Sequence, residues 1–369
     1  MAEYTKEITI GEGENAVKMG NDNPIVIQSM TNTYTDDVDS TVKQIQELDN
    51  LGCEMVRVTV PDLATVDVLP EIKDRIEIPL VGDIHNDPRI ALRAADKKYL
   101  DKLRLNPGNI EKEKDIKEIA EKAGKEGIPI RVGANSGSIK KEYRDLPRDE
   151  GLVESALEEV NSLEDYGLED IVVSVKSSNV GEMVNAYRKI SNEIDYPLHL
   201  GVTEAGSVYS GSIKNAMGMG ILLDEGIGDT IRVSLSGDPK HEIRAAKEIL
   251  RNLDLYDMAE VIGCPTCGRT TYNLAEIVER TEGKVYKNSD KLPRDFKVAV
   301  MGCTVNGEQE AGHADLGIFG TKNRESDIFV IKSNDKGDYS FEIEAEDEEE
   351  KTEEIWEEWE PVIEEFYER

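Results

Sequence analysis

Three of the four cysteines in this sequence lie in its last third, at a spacing that suits a metal centre. Cys264 and Cys267 form a Cys-Pro-Thr-Cys pair, and Cys303 stands in a separate Gly-Cys-Thr-Val-Asn-Gly segment. A pair alone fits a dithiol redox site or half of a zinc site, whereas structural zinc needs a fourth thiolate or a histidine. Three thiolates fit a cubane iron–sulfur cluster with one iron left short of sulfur, so iron–sulfur is favoured and zinc is the alternative.

Ligands for such an open iron stand close after the third cysteine. Glu308 and Glu310 are both near enough along the chain to supply an oxygen, and His313 is a further candidate. An iron with a labile ligand other than cysteine is open to substrate, as a catalytic cluster requires. The fourth cysteine, Cys53, precedes a predicted strand in the N-terminal region and is expected to be an inert core thiol.

Positive charge recurs where the strands of the N-terminal two thirds are predicted to end. The cations are Arg57, Arg104, Arg131, Lys176 and Arg232. Guanidinium groups match phosphate oxygens bidentately, and several of them can share one diphosphate. Ordinary ion pairs are the alternative for each cation, but five at one rim favour a phosphate-bearing ligand. Residues 106–109 and 133–137 are predicted to add backbone N–H donors.

Other polar side chains fall at the same strand ends. They are Asp83, His85, Asn106, Asn135, Thr203, Glu204 and Ser234. A carboxyl group beside phosphate has a raised pKa and can act as a general acid, so Glu204 is the candidate catalytic residue. An ion pair with Lys176 or Arg232 is the alternative for Glu204. His85 either binds a phosphate or hydroxyl group or simply packs.

Eight short apolar runs alternate with helical patterns between residues 25 and 235. The runs are 25–30, 55–60, 79–84, 102–105, 129–132, 171–175, 198–202 and 230–235, with helices including 41–51, 88–99, 153–166 and 241–253. Eight parallel strands close a (β/α)8 TIM barrel, whose chemistry lies at the carboxyl ends of the strands. An open doubly wound sheet is the alternative, but no Gly-x-Gly-x-x-Gly follows the first run. Residues 1–255 are therefore predicted to be a TIM-barrel substrate-binding domain.

The regular alternation of strand and helix patterns ends at about residue 256. Segments 261–270, 297–302, 327–331 and 339–343 predict a smaller α+β domain, which holds the cysteines and spans residues 256–369. Near the C-terminus, Ile355, Trp359, Ile363 and Phe366 recur at helical spacing in an acidic segment. This pattern predicts a terminal helix that docks on its own domain, with Pro361 starting or kinking a turn.

The composition excludes several classes of function. The sequence has 369 residues with 77 acidic and 44 basic side chains, a formal net charge of −33, which repels nucleic acid and anionic membranes. No apolar run is long enough to span a membrane, and the N-terminus does not resemble a signal peptide. Four cysteines in a chain of this length are no disulfide framework, so a cytoplasmic location is predicted.

With these features in place, the chain resembles the bacterial 4-hydroxy-3-methylbut-2-enyl diphosphate synthase family along nearly its whole length. The matching strings are Gln28-Ser-Met-Thr-Asn32, Asn106-Pro-Gly-Asn109, Gly201-Val-Thr-Glu-Ala-Gly206, Gly226-Ile-Gly-Asp-Thr-Ile-Arg-Val-Ser234, Cys264-Pro-Thr-Cys-Gly-Arg269 and Met301-Gly-Cys-Thr-Val-Asn-Gly307. The resemblance implies the compact bacterial form, in which the barrel runs directly into the cluster domain.

By this resemblance, a [4Fe–4S] cluster is held by Cys264, Cys267, Cys303 and Glu310, with Glu310 preferred to Glu308. The family usually has Gly-Pro-Gly before that glutamate, whereas this chain has Gly307-Glu-Gln309. The diphosphate site falls on the cations and polar residues named above, and Glu204 matches the presumed proton donor.

The resemblance also implies a reaction and partners. The substrate is 2-C-methyl-D-erythritol 2,4-cyclodiphosphate, which is opened and dehydrated with two electrons from ferredoxin or flavodoxin. Family members are head-to-tail homodimers in which the cluster domain of one subunit closes over the barrel mouth of the other. A non-redox barrel synthase with zinc in the second domain, and an iron–sulfur electron carrier or sensor, are the rival interpretations.

Overall fold

The computed structural model describes residues 5–85, 87–106, 110, 112–270, 272–288, 291–293, 295–322, 327–334, 337–345 and 347–367. By internal contacts the chain divides into two compact units, Met1–Tyr256 and Asp257–Arg369. None of the described helices is both long and apolar enough to cross a membrane.

The first unit is a barrel of eight parallel strands. These are β3 (Val26–Met30), β4 (Met55–Thr59), β5 (Leu80–Asp83), β6 (Lys102–Arg104), β7 (Ile130–Val132), β8 (Ile171–Val173), β9 (His199–Leu200) and β10 (Thr230–Ile231). They pair in the order β8-β7-β6-β5-β4-β3-β10-β9, and a parallel bridge between Val173 and Leu198 joins the two ends. The predicted TIM barrel is confirmed, and each strand falls within its predicted run.

Eight helices follow the eight barrel strands. They are α1 (Val38–Asn50), α2 (Leu63–Lys73), α3 (Pro88–Asp96), α4 (Glu113–Glu126), α5 (Arg148–Glu164), α6 (Val180–Ile190), α7 (Val208–Asp224) and α8 (Lys240–Arg251). Several begin at a side chain that accepts an N–H of the first turn, as Asp62 does from Thr65 and Asn179 from Glu182. Gly52 and Gly167 follow helix ends with positive φ angles of 91° and 77°, a conformation that glycine adopts without strain.

The strands send alternate side chains outward to the helices and inward to the barrel. Outward residues such as Val56, Ile130 and Leu200 join one continuous core with the helices. At the amino ends of the strands, the inward residues Val26, Met55, Val81 and Val172 form a separate apolar cluster. This cluster includes Ile8, Ile10 and Met19 of a hairpin, β1 (Ile8–Ile10) and β2 (Val17–Met19), which the sequence interpretation missed. The hairpin therefore closes the end of the barrel opposite the predicted site.

The second unit is a mixed sheet with three described helices. Its strands are β11 (Glu260–Gly263), β12 (Lys297–Met301), β13 (Leu316–Lys322), β14 (Asp327–Ser333) and β15 (Tyr339–Ile343), in that order in the sheet. The first three run parallel, and β14 and β15 are antiparallel to their neighbours. The helices are α9 (Leu274–Lys287), α10 (Thr304–His313) and α11 (Glu348–Glu364).

The acidic terminal helix α11 docks on its own unit, as its apolar stripe indicates. Ile355, Trp359 and Ile363 are buried, and the Trp359 indole N–H donates to Thr281 Oγ1 of α9 at 2.9 Å. Pro361 lies within the helix instead of starting a new turn. An indole that buries its ring and satisfies its N–H anchors this helix firmly.

Candidate active site

The barrel interior changes from apolar to charged above the hairpin layer. Met55 and Val81 point into the barrel, and because side chains alternate along a strand, Arg57 and Asp83, two residues further on, also point inward. Residues that pair in register with inward positions point inward as well, and these are Lys102, Arg104 and Arg131. TIM barrels normally fill these layers with branched apolar side chains. A charged interior therefore indicates a binding site that extends down into the barrel.

Asp83 at the end of β5 is shared by two of the predicted cations. Its carboxylate lies 3.3 Å from Arg104 Nη1 and 3.9 Å from Arg57 Nε, and its side chain is nearly buried. Burial alone would raise the pKa of Asp83, but Arg57 and Arg104 outweigh it and hold that pKa below its ordinary value. Asp83 is thus a permanent anion that fixes the two guanidinium groups at the cavity wall.

Arg232 is held by a carboxylate that the sequence interpretation missed. Glu242 of α8 is 2% exposed and accepts from Arg232 Nη2 at 2.9 Å and Nε at 3.1 Å. The same carboxylate accepts from Ser29 Oγ at 2.9 Å and from the Leu235 backbone N–H at 3.0 Å. Arg232 Nη1 donates to Ser234 Oγ at 3.0 Å. Two predicted site residues, Arg232 and Ser234, are therefore in direct contact.

Arg131 and Lys176 carry the positive charge that no described carboxylate balances. Arg131 is 3% exposed, and its Nε and Nη1 atoms find no hydrogen-bond partner among the described residues. Burial lowers the pKa of both Arg131 and Lys176 well below their ordinary values, and the neighbouring guanidinium groups lower them further. Unpartnered buried donors are rare in folded proteins, so Arg131 is arranged to receive an anion, and the buried Lys176 adds a second positive charge near it.

The backbone beyond β7 and β8 places Asn135 beside Lys176. These two residues form a parallel bridge, in which the Ser136 N–H donates to Lys176 O at 2.9 Å. The Gly133 N–H donates to Glu159 Oε2 and the Asn135 N–H to Ser138 Oγ, each at 2.9 Å. The prediction that these N–H groups face an anion is wrong, because strand extension and nearby side chains already use them.

Glu204 adopts a backbone conformation that side chains usually avoid. Its φ angle is 52°, and it is exposed directly after Thr203, whose N–H donates to Ser177 O at 3.3 Å. A glutamate held in the left-handed region lies where non-glycine residues are uncommon, and such residues cluster at functional sites. Among the described residues Glu204 forms no ion pair, so the alternative of pairing with Lys176 or Arg232 is not seen.

The remaining predicted positions differ in exposure. Asn106 is 5% exposed at the end of the run that contains β6, and His85 is exposed just beyond β5. Residues 107–109 of the same predicted loop lie outside the described residues. The structure thus assembles most of the predicted polar residues at one end of the barrel, and Arg131, at 3% exposed, is the most buried of the predicted cations.

The cysteines of the second unit lie at the carboxyl ends of neighbouring strands. Cys264 follows β11 and Cys303 follows β12, and the Gly302 N–H donates to Cys264 Sγ at 3.1 Å. Cys267 is exposed, and the Arg269 backbone N–H lowers the pKa of its thiol. All three thiols are free. Cys53 is buried with a pKa raised to about 12 by burial, which confirms an inert core thiol.

Helix α10 determines how the oxygen ligand is presented. The segment after Cys303 is helical from Thr304 to His313, not a loop, and Cys303 is its N-cap residue. At 3.6 residues per turn, Glu310 projects within about 20° of Cys303 around the helix, whereas Glu308 points about 140° away. Both glutamates are exposed. Helical phase therefore favours Glu310, in agreement with the ligand that the resemblance implies.

The chemistry of these donors fits an iron–sulfur cluster. The three thiols follow two neighbouring strands, the pKa of the Cys267 thiol is lowered, and a backbone N–H hydrogen bond to Cys264 Sγ is a contact typical of cluster cysteines. Within the described part of the chain, no three histidine, cysteine or carboxylate side chains are grouped closely enough to hold a single metal ion. Three soft sulfur donors without a fourth cysteine in this unit match the ligands of an iron–sulfur cluster better than those of a structural zinc site.

Fold and site together define a TIM-barrel enzyme with a phosphate-binding cavity and a separate thiolate-bearing domain. Residues 5–247 match the GcpE TIM-barrel domain, and residues 260–359 match the GcpE protein C-terminal domain. The chain belongs to the GcpE family.

Curated relatives support this membership over most of the chain. The 4-hydroxy-3-methylbut-2-en-1-yl diphosphate synthase (flavodoxin) of Fusobacterium nucleatum is 51% identical over 82% of this chain and 85% of its own length. The enzyme of that name from Caldanaerobacter subterraneus is 49% identical over 89% and 91%, and that of Clostridium tetani 51% identical over 82% and 87%. Among solved structures, Yersinia pestis dihydropteroate synthase has 13% identity and a TM-score of 0.47, covering 67% of this chain and 97% of its own.

Proposed function

We propose that this protein reduces 2-C-methyl-D-erythritol 2,4-cyclodiphosphate to (E)-4-hydroxy-3-methylbut-2-enyl diphosphate. The observation that carries the proposal is the buried Arg131, whose Nε and Nη1 have no hydrogen-bond partner among the described residues, near the buried Lys176 in a barrel whose family is that of the named synthases. Two electrons and two protons convert the cyclic diphosphate to the linear diphosphate and water. A doubly charged ligand supplies the negative charge that these cations lack.

The chain's own residues bind and orient the ring. Asp83 binds both Arg57 and Arg104, and Glu242 binds Arg232. The remaining N–H groups of these arginines are therefore pre-positioned for phosphate oxygens. Arg131 and Lys176 lie deeper and bind the diphosphate from below. Asn106, Asn135, Thr203 and Ser234 add neutral hydrogen bonds, and His85 reaches the ligand from the rim.

Glu204 supplies the proton that the leaving hydroxyl group takes when it departs as water. In this proposal the Glu204 carboxyl group acts as a general acid and delivers its proton to the departing hydroxyl group. The strained backbone at this position fixes the carboxyl group at the rim of the barrel. This arrangement leaves Glu204 free of competing ion pairs with the described cations.

The proposed cofactor is a [4Fe–4S] cluster held by Cys264, Cys267, Cys303 and Glu310. When bound, it supplies single electrons and one iron without a thiolate. The printed name of the relatives makes flavodoxin the proposed electron donor, with ferredoxin as the alternative. Free cysteines suit the reducing cytoplasm, which is the proposed location.

We also propose that the protein is a homodimer. Helix α7 presents an exposed apolar row, in which Tyr209 is 81% exposed and Ile213, Met217 and Ile221 are 40–56% exposed. These residues recur every fourth position on one face of the helix. An apolar row on a chain with a net charge of −33 suits contact with a second copy, because few other surfaces let two such acidic chains approach.

Anaerobic purification with an activity assay tests the function. We expect a brown protein with about four irons and four sulfides per chain, which turns over the cyclodiphosphate with reduced flavodoxin. A colourless protein with one zinc per chain would favour a non-redox barrel synthase. A brown protein that neither binds nor converts the cyclodiphosphate would favour an electron carrier or sensor.

A further inference from the structure

Lys102 is a buried charge that the fold does not need. It lies on β6, two residues before Arg104, and its side chain is 0% exposed inside the barrel. Its Nζ donates to Gln28 Oε1 at 3.3 Å, and none of the described carboxylates forms an ion pair with it. Lysine is almost never fully buried without a partner, and this barrel layer is normally apolar. A structural role would be served better by methionine or leucine.

The groups that face Lys102 are neutral or positive. From β3 it meets Gln28, whose Nε2 is also without a partner among the described residues. From β4 and β7, Arg57 and Arg131 repel its positive charge. His199 on β9 and Lys176 beyond β8 belong to the same mutually repelling group, and burial lowers the pKa of His199 well below its ordinary value. Two neighbouring strands contribute apolar residues. Val81 on β5 pairs in register with Lys102, and Val172 on β8 belongs to the apolar cluster at the amino ends of the strands.

The two carboxylates of the cavity are already engaged elsewhere. Asp83 pairs with Arg57 and Arg104, and Glu242 with Arg232. Burial first, and then Arg131 and Arg57, lower the pKa of Lys102 well below its ordinary value. With no ligand in the barrel, burial and the neighbouring cations both favour the neutral amine over the charged ammonium. A bound diphosphate brings negative charge near Lys102, and this negative charge favours the charged ammonium form over the neutral amine.

We propose that Lys102 takes up a proton from solvent when a diphosphate enters the barrel, and so becomes a binding cation beneath Arg131. The inference rests on the proposed function, because it needs a diphosphate ligand in this cavity. The proton is supplied by the protonated form of the buffer, which is left as its conjugate base, and it forms a new N–H bond on Lys102 Nζ. A neutral lysine limits repulsion within the empty cavity, and a charged one strengthens the hold on the bound anion.

Calorimetry in buffers of different ionisation enthalpy counts the protons taken up on binding. We would titrate the holoenzyme with the cyclodiphosphate and, separately, with inorganic pyrophosphate near pH 8. The wild-type protein should take up protons, and Lys102→Met should take up fewer, by up to about one per site, with affinity reduced by roughly tenfold or more. Lys102→Gln is the second variant, because it also cannot titrate.

Thermal unfolding of the same variants separates this role from a structural one. Lys102→Met should raise the midpoint by a few degrees, about 2 °C or more, because it removes an unpaired buried amine. Lys247→Met is the matched control, since Lys247 is 9% exposed and lies over the Tyr256 ring, on α8 outside the barrel. It should leave the proton count unchanged.

The outcomes distinguish the two proposals. An unchanged proton count in both Lys102 variants, or a lowered unfolding midpoint with unchanged affinity, overturns the role of Lys102 and leaves the function standing. If pyrophosphate binds with Lys102-dependent proton uptake but the cyclodiphosphate does not bind, the substrate assignment is wrong and the role of Lys102 holds. If the wild-type protein binds neither anion, both proposals are wrong.

Discussion

Single residues in the cavity do their work through partners that hold them. The guanidinium group of Arg232 is fixed by Glu242 on two sides, and the four donors on Glu242 use both of its oxygens. A carboxylate satisfied in this way cannot be replaced without leaving buried donors unpaired. Glu242 is therefore a positioning residue, although it is not expected to touch the substrate itself.

Glu242→Ala should raise the KM for the cyclodiphosphate by roughly tenfold or more and lower the free energy of unfolding by about 3–5 kcal/mol. Glu242→Gln keeps one acceptor oxygen, so it should change both the KM and the free energy of unfolding less than Glu242→Ala does. Steady-state kinetics and denaturant unfolding measure these effects. Glu164→Gln is a matched control, because that carboxylate accepts from Tyr196 OH at 2.7 Å, on α5 and away from Arg232. A Glu242→Ala enzyme with an unchanged KM would show that Arg232 needs no such support.

Arg131→Ala should weaken binding of the cyclodiphosphate by at least about thirtyfold, because a buried charged contact to an anion is worth about 2–5 kcal/mol. The absorption spectrum of the reconstituted protein should stay the same, since the thiols lie in the other unit. Collapse of the spectrum would contradict the division of roles between the two units.

The stabilisation gained from Lys102→Met should depend on pH in a known direction. Because the pKa of Lys102 is lowered in the folded state, the folded protein binds fewer protons than the unfolded one, and its stability rises with pH. The penalty that Lys102 imposes is therefore largest near neutral pH and fades as the pH approaches about 10.4, the ordinary lysine value. Urea unfolding at pH 7, 8.5 and 10 should show the advantage of the variant shrinking. A constant advantage would mean that the cause is packing.

At the scale of elements, helix α10 directs Glu308 and Glu310 to different sides, and Glu310 is the proposed ligand. Because Glu310 repeats the angular position of Cys303 and Glu308 does not, Glu310→Ala should abolish turnover while a cluster with three thiolates remains. Glu308→Ala is the control on the same helix and should keep most of the activity. Iron content and turnover of both variants are the measurements. Normal turnover in Glu310→Ala would move the ligand to Glu308.

The packing of α10 on β13 leaves no room for a side chain at Gly307. A Cβ atom there would lie 2.3 Å from Phe319 Cγ. Gly307→Ala should therefore push the helix away from the sheet, reduce iron retention and lower the stability of the second unit by about 1–3 kcal/mol. Gly312→Ala, where the same addition meets nothing within 4 Å, is the control. Equal iron retention in the two variants would show that α10 tolerates displacement.

The sequence predicted these elements unevenly, for physical reasons. The eight barrel strands were recognisable because each is a short run, in most cases rich in β-branched residues, followed by a helical pattern. The terminal helix was recognisable because Ile355, Trp359 and Ile363 repeat on one face. The hairpin β1–β2 was missed because three-residue strands carry little pattern, and β13 because Gly317 and Gly320 interrupt its apolar run. α10 was taken for a loop, since its glycines and polar residues are weak helix formers.

The site shows the same limits. The cations at strand ends were visible because they contrast with an acidic sequence. The sequence interpretation missed Lys102, Gln28 and His199. These side chains lie deeper in the barrel than the strand ends, and their inward orientation can be recognised only once the strand register is known. Glu242 was missed because its partners Ser29 and Leu235 are distant or unremarkable in sequence. Sequence patterns therefore predict the residues at the rim of a barrel site, whereas the residues deeper inside can be identified only from the strand register.

At the scale of the whole molecule, the cavity and the thiols belong to separate units, so each can be inactivated without the other. Arg131→Ala damages the barrel and Cys303→Ala the second unit. If one active site takes its barrel from one subunit and its cluster from the other, a mixed dimer contains one site with both parts intact. Random mixing of the two inactive variants should then restore about a quarter of wild-type activity, because about half of the dimers are mixed and one of their two sites works.

Co-refolding or co-expression of the two variants, followed by a turnover assay, measures this restoration. A mixture in which both proteins carry Arg131→Ala is the control, and it should stay inactive. Ile213→Asp on α7 should prevent the restoration by separating the subunits, which sedimentation can verify, because a carboxylate in an apolar contact between acidic chains is unfavourable. If mixing restores nothing while the mixed dimers form, each active site is built within one subunit, and the head-to-tail arrangement is wrong for this protein.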